Sequence, residues 1–219
     1  AATKTRTRTA PKAASTRRRP PRNKRGESRE AVLQAALGVF SRRGFKGATV
    51  REIARVAKVN HGTLRYHFGS KDKLWRAAVS FLFARQVDEL DLAGLAQQGL
   101  DDAAFLREAV ARYVRYCARH PEHARIAILE SIVGGERLRW MAREHIRAVH
   151  DVMGPYLRAC MKKGLIREAS ELSLTYILAL ASQSVFLLEQ EARAVHGVDV
   201  FADDFVEQHV ATVLSLLNV

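Results

Sequence analysis

Apolar residues along this chain recur at helical intervals. Val50, Ile53, Ala54 and Ala57 follow one another at three- and four-residue spacing, Leu64 and Phe68 lie one turn apart, and no segment reads as a pair of strands. Stretches of Ala, Leu, Arg and Glu punctuated by glycine and proline complete an all-helical pattern. Helices are expected near 27–43, 50–57, 61–67, 71–92, 102–119, 122–133, 136–163, 171–195 and 202–217.

Several boundaries carry explicit chemistry. Thr49 is placed to cap the helix that starts near Val50, with Glu52 reaching back to the cap amide so that two orphan donors are satisfied reciprocally. Asn60 is placed to cap the next helix. At His120-Pro121 the helix carrying Tyr113 and Tyr116 should end, because proline disfavours helical geometry in the preceding residue and suits the first turn of the following helix. Gly164 ends a later helix. Gly154-Pro155 falls inside the 136–163 pattern, where a kink or break is expected that would open space between helices.

Two short helices joined by a tight turn, in ATVREIARVAKVNHGTLRYHFGSKDKL, form a helix-turn-helix DNA reader. The alanines of the first helix let the second cross closely, and Leu64 and Phe68 mark the inner face of the second, so Arg65 and Tyr66 point outward. Packing against the following helix is the other reading of Tyr66 and the favoured one for His67. The segment resembles the DNA-binding domain of the TetR family of bacterial transcriptional repressors from about Glu27 to Leu82, including REAVLQAALGVFSRRGFKGATV ahead of it. That resemblance implies that Asn60, His61, Thr63, Arg65 and Tyr66 face bases or nearby phosphates, and that Thr49 and Lys71 hold phosphates at helix starts. Two positions depart from the family pattern. Lys58 stands where the turn usually has glycine, and would be strained if left-handed. Arg65 replaces a common aromatic and can pair with guanine O6 and N7 or hold a phosphate.

Charge divides the chain in the same way. The formal net charge is +13, but residues 1–25 hold ten Lys or Arg and no acid, residues 26–85 twelve against four, and residues 86–219 fourteen against nineteen. A polyanion partner is expected only at the N-terminal end, and double-stranded DNA is the natural one. The first 25 residues, rich in Pro, Thr and Arg, are expected to form a disordered arm that lies in the minor groove or simply adds solubility.

The remainder is long enough for a second core, at 219 residues with 47% hydrophobic side chains. Leu172 to Leu188 is seventeen residues without a charge, yet its serines, Thr175 and Gln183 favour a buried helix of a soluble protein over a membrane span. Phe205, Val206, Val210, Val213, Leu214 and Leu217 make a second apolar stripe. These two helices are expected to pair with their copies about a twofold axis. In the family the last two helices form the dimer, and HPEHARIAILESIVGGERLRWM and LTYILALASQSVFLLEQEARAVHG resemble the ligand-sensing halves of some members, pyrimidine-responsive ones included. The fold expected is all-α: a basic arm over 1–25, a three-helix helix-turn-helix domain over 26–72, and a larger helical effector-binding and dimerisation domain over 73–219.

Candidate effector contacts are polar or aromatic groups on otherwise apolar helices: Tyr113, Tyr116, Trp140, His145, Tyr176, Gln183 and Phe186, with core packing as the alternative for each. His120 with His123 and His145 with His150 lack the spacing of a zinc site, so no metal or cofactor is expected. Cys117 and Cys160 are expected to be reduced cytoplasmic thiols. The functional reading is a homodimeric, non-enzymatic, cytoplasmic DNA-binding repressor released from a palindromic operator by a small-molecule effector of unknown identity. The alternatives are an architectural DNA-binding protein driven by the arm, and a helical enzyme with His145 or His123 as base.

Overall fold

The computed structural model describes residues 23–217, and side chains from residue 29 onward. Twelve helices and one π-turn follow in order: α1 (Asn23–Gly47), α2 (Val50–Val56), α3 (His61–Phe68), α4 (Lys71–Leu90), α5 (Leu92–Ala96), α6 (Asp102–Arg119), α7 (Pro121–Val133), α8 (Glu136–Met141), the π-turn (Ala142–Ile146), α9 (Arg147–Lys162), α10 (Glu171–Leu187), α11 (Glu189–His196) and α12 (Asp203–Ser215). No strand occurs among the described residues. The arm expected over 1–25 lies outside the described residues up to position 22, and Asn23 already begins α1.

Four expected boundaries shift, each for a local reason. The first helix runs on to Gly47, interrupted at Gly44, whose φ of 63° turns the chain ahead of Phe45. The helix expected over 71–92 stops at Leu90, because Asp91 takes a left-handed conformation and its carboxylate accepts from the Gly94 amide to start α5. Gly154-Pro155 does not break α9, which continues through Pro155. The irregularity sits upstream, in the π-turn, where an extra residue leaves no mark in the apolar spacing. Gly154 leaves room for the Glu171 carboxylate, which pairs with Arg158: a Cβ there would stand 2.5 Å from Glu171 Oε1. The helix expected over 171–195 divides at Leu188 with a bend of 61°.

Two cores hold these elements. The first gathers Leu33, Leu37, Phe40, Ile53, Leu64 and Trp75 from α1 to α4, and is closed by Ile126 of α7 and Met141 of α8. The second gathers residues of α6, α9, α10 and α12, among them Leu106, Val114, Leu157, Phe186 and Val210. Helix α4 joins the two, with Leu74 and Trp75 in the first and Leu90 in the second. The expected domain boundary after residue 72 therefore falls at the second residue of a helix that serves both parts.

The two C-terminal apolar stripes meet different fates. Val206, Val210, Val213 and Leu217 are buried against α6 and α10 of the same chain, so these four positions of the expected α12 stripe are not left for a partner, while Phe205 and Leu214 stay half-buried. Helix α10 does leave a face uncovered, with Leu172, Tyr176, Ile177 and Leu180 exposed. No single helix among the described residues is long and apolar enough to cross a membrane.

Candidate DNA-reading surface and effector cavity

The reading helix is set by its caps. Thr49 Oγ1 accepts from the Glu52 amide at 3.1 Å, Asn60 Oδ1 from Gly62 at 2.7 Å, and Ser70 Oγ from Lys73 at 3.1 Å, so α2, α3 and α4 each start on a side-chain acceptor. Only half of the reciprocal box at Thr49 forms, because the Glu52 carboxylate turns to Arg43, 3.7 Å away on α1. Between α2 and α3, Lys58 is left-handed at φ 55°, and the Val59 amide returns to the Ala54 carbonyl at 3.0 Å, which closes the tight turn.

Helix α3 is anchored by one residue and open on its other faces. Leu64 is 2% exposed, whereas Tyr66 is 86% exposed and His61, Thr63 and Arg65 are also exposed. His67 is corrected: it is exposed rather than packed in the core, with its ring edge-on to Tyr66 at 5.3 Å. Packing on α4 falls to Leu64 and half-buried Phe68, leaving no inner position for the residue between them. Asn60 and Thr49 are exposed at their helix starts. Lys71 lies folded back, its Nζ donating to the Lys46 carbonyl at 3.3 Å and 4.6 Å from the Phe45 ring centre. Burial first, and then the nearby Arg137 charge, lower its pKa. Arg42, Arg51, Arg55, Lys58, Arg65 and Lys73 are exposed around this surface, and the acids Glu52 and Asp72 are engaged by Arg43 and Arg76. The surface is thus a basic face with a protruding helix, the form that fits a major groove.

A cavity of about 640 Å³ lies between α4, α6, α7, α9 and α10 and also touches α8 and the π-turn. Tyr113, Tyr176 and Gln183 line it, but four other candidates do not. Tyr116 is buried behind the wall, its hydroxyl 2.8 Å from His123 Nδ1 and 3.4 Å from the Leu82 carbonyl. Trp140 packs edge-on against Trp75 at 5.7 Å. His145 stacks on Phe83 at 4.8 Å and meets Ser80 Oγ at 3.2 Å. Phe186 is held between Phe201 and His209. Each of these rings fills space between helices, as large aromatic groups do in cores.

Sequence reasoning missed Gln86 on the cavity wall and named His123, also on that wall, only as the base of the alternative enzymatic reading. Gln86 is a lone amide among the apolar positions of α4, a signal that was available. The place of His123 as a wall residue depends on how α7 crosses α4 and α6. Burial, joined by the Arg85 charge, depresses the His123 pKa to about 3, so the ring is neutral. The Tyr116 hydroxyl 2.8 Å away engages Nδ1 of this ring. Burial likewise raises the Tyr113 pKa well above its ordinary value, so that hydroxyl stays protonated.

The cavity and the DNA-reading surface share supports. Arg85 donates to Gln34 of α1 at 3.0 Å and to Glu122 of α7 at 2.7 Å. Arg137 of α8 lies 4.0 Å over the Phe45 ring and 5.7 Å from that of Trp75, while its Nε is 3.1 Å from both oxygens of buried Glu130. Leu138, next to Arg137, is cavity wall.

Residues 32–78 match the sequence profile of the bacterial regulatory proteins, tetR family. The chain is 32% identical over 160 residues to the HTH-type transcriptional repressor NicS of Pseudomonas putida, spanning 69% of this chain and 71% of that one. It is 25% identical over 191 residues to the HTH-type transcriptional regulator RutR of Escherichia coli K12, spanning 86% and 88%. Among solved structures, the transcriptional regulator FadR from Bacillus subtilis in complex with stearoyl-CoA shares the fold, with a TM-score of 0.63 and 15% identity over 86% of this chain and 98% of that one.

Proposed function

The chain belongs to the tetR family of bacterial regulatory proteins and is a sequence-specific DNA-binding transcriptional regulator; on that premise we propose that it is a cytoplasmic homodimeric repressor, released from a palindromic operator when a small molecule enters the cavity. The observation that carries this reading is the sharing of α4, α7 and α8 between the cavity wall and the core under the reading helix. A ligand that favours one placement of α7 or α8 acts on Arg85 and Arg137, and through them on α1, by differential affinity for two arrangements.

The exposed face of α10 supplies the dimer contact, continuous with the cavity through Tyr176 and Leu180, which belong to both. In such a dimer each α3 reads one half-site, and Arg65 and Tyr66 face base edges while Thr49 and Lys71 serve phosphates. Lys71 reaches a phosphate by leaving the Lys46 carbonyl.

Selection of bound fragments from genomic DNA at near-physiological salt tests the first half of this reading, with wild type compared against a double Arg65→Ala, Tyr66→Ala variant. A few palindromic sites recovered by wild type alone is the expected result. Diffuse recovery by both proteins overturns it in favour of nonspecific, arm-driven binding. Release of the recovered site by small molecules, read by fluorescence anisotropy, tests the second half.

A further inference from the structure

The cavity wall contains no Asp, Glu, Lys or Arg. Several of its polar groups are already engaged: Ser131 and Thr175 donate to carbonyls of their own helices, and His150 packs edge-on to Tyr176. The Tyr113 hydroxyl donates to Gln183 Oε1 at 3.4 Å. His123 is tied through Nδ1 to Tyr116 and carries no charge. Gln86 differs from both. It is 4% exposed, stands on α4 between Phe83 and Leu90 and lines the cavity, and its Oε1, sealed in the wall in this conformation, has no hydrogen-bond partner among the described residues, so that a turn of the amide is what would bring it to an incoming donor. Buried amide oxygens are almost always paired, and one left unpaired loses free energy that an incoming donor restores. A carboxylate or phosphate entering the same space would shed its hydration with no Lys or Arg among the described lining residues to replace it, His150 at the α9–α10 side being the one imidazole not tied to a neighbour by a hydrogen bond.

Resting on the effector-release reading above, we infer that the cavity selects an uncharged, mostly apolar small molecule that presents an N–H or O–H donor to Gln86, and rejects the anionic counterpart of the same body. The volume is that of an ordinary small-molecule site, and the apolar wall, from Phe83, Leu138, Ile146, Met153 and Leu178, supplies contact without direction. Direction comes from Gln86, with Gln183 and Tyr113 across the cavity able to turn their weak mutual bond toward a second polar group of the ligand.

Calorimetric titration of the full chain with three probes that share a biphenyl body provides the test: 4-phenylphenol, 4-methoxybiphenyl and biphenyl-4-carboxylate. The phenol is expected to bind about tenfold tighter than the ether, the gain of one neutral hydrogen bond, and the carboxylate to give no measurable binding. In Gln86→Leu the advantage of the phenol disappears while the ether binds as before; an unchanged melting temperature and retained binding to the selected DNA site confirm that the variant is folded. Equal affinities for phenol and ether, a preference that persists in Gln86→Leu, a carboxylate that binds as well as the phenol, or no binding of any probe each overturns the inference. Because these titrations contain no DNA, the two readings fail separately: a phenol that binds as expected but does not release the DNA site refutes effector release and leaves the selection by Gln86 standing.

Discussion

Glu122→Gln probes the clamp that joins α7, α4 and α1. Arg85 Nη2 is 2.7 Å from Glu122 Oε1, its Nη1 is 3.0 Å from Gln34 Oε1, and both members of the ion pair are only 14% exposed. Burial alone would raise the Glu122 pKa. The neighbouring His120, the backbone amide and the Arg85 guanidinium more than reverse it and hold the carboxyl at about 2, against an ordinary 4.5. His120 Nδ1 stands 3.7 Å from the carboxylate, beyond hydrogen-bond reach, so Arg85 is the direct partner. The difference between the two pKa values corresponds to about 3 kcal/mol of folding stability, similar to the loss when one partner of a buried pair is removed. Since the folded-state pKa is the depressed one, this stability is present above pH 4.5 and is lost as the pH falls toward about 2. His123 has its pKa held at about 3 by burial, with the Glu122 charge pulling it upward, so losing that charge lowers it further; the ring is therefore largely neutral in both folded proteins over the assayed range, and its cost there is nearly common to the two. Urea unfolding from pH 7 to pH 3.5 at fixed protein concentration, followed by the fluorescence of the adjacent Trp75 and Trp140, should show the variant about 3 kcal/mol less stable at neutral pH, with the gap narrowing below pH 4.5. A variant within about 0.5 kcal/mol of wild type at pH 7, or a gap that does not change with pH, would refute this account of the clamp.

Three other substitutions test separate parts of the structure. Arg65→Ala should weaken binding to the selected DNA site by about 1–3 kcal/mol and relax the base preference at one position of each half-site; anisotropy titrations that show equal weakening on every sequence would place the guanidinium on a phosphate instead. Ile177→Asp, at a position 57% exposed on α10, should convert the dimer to monomer in sedimentation and abolish tight operator binding while helicity is kept; an unchanged dimer would exclude this face. Lys58→Gly removes the side chain from a left-handed position, and thermal unfolding should report a gain of about 1 kcal/mol, whereas a loss would mean that the lysine stem contributes packing there.

The DNA-reading half was legible because its determinants are local. Thr49 and Asn60 are caps whose partners lie two or three residues away, and Leu64 reveals the inner face of α3 by its spacing alone. Local reasoning failed where a group from another element intervened. Glu52 is close enough to complete the box at Thr49, but Arg43, nine positions earlier on α1, draws its carboxylate away. Gly154-Pro155 carried the composition of a break, yet α9 continues through it, with the Arg158–Glu171 pair from α9 to α10 lying beside Gly154.

The cavity was harder to read because it belongs to no single helix, and aromatic side chains proved poor guides to it. Tyr113 and Tyr116 are three residues apart on α6; one lines the cavity and the other is locked behind it against α7. Large rings are selected for filling space wherever helices cross, so size says little about which crossing was left open. Buried polarity is the sharper signal, because a polar group inside a fold needs either a partner or a reason. The buried polar or charged residues among those described are Ser41, Gln86, Glu130, Ser182 and Gln183. Ser41 donates to the Gly38 carbonyl at 3.1 Å, and Glu130 accepts from Arg137 at 3.1 Å, so each is satisfied within the packing. The other three all line the cavity. An uncharged polar residue on an otherwise apolar helical stripe, with no local partner in reach, therefore marks the cavity better than any aromatic did, and of the three Gln86 is the one whose oxygen is buried without a partner.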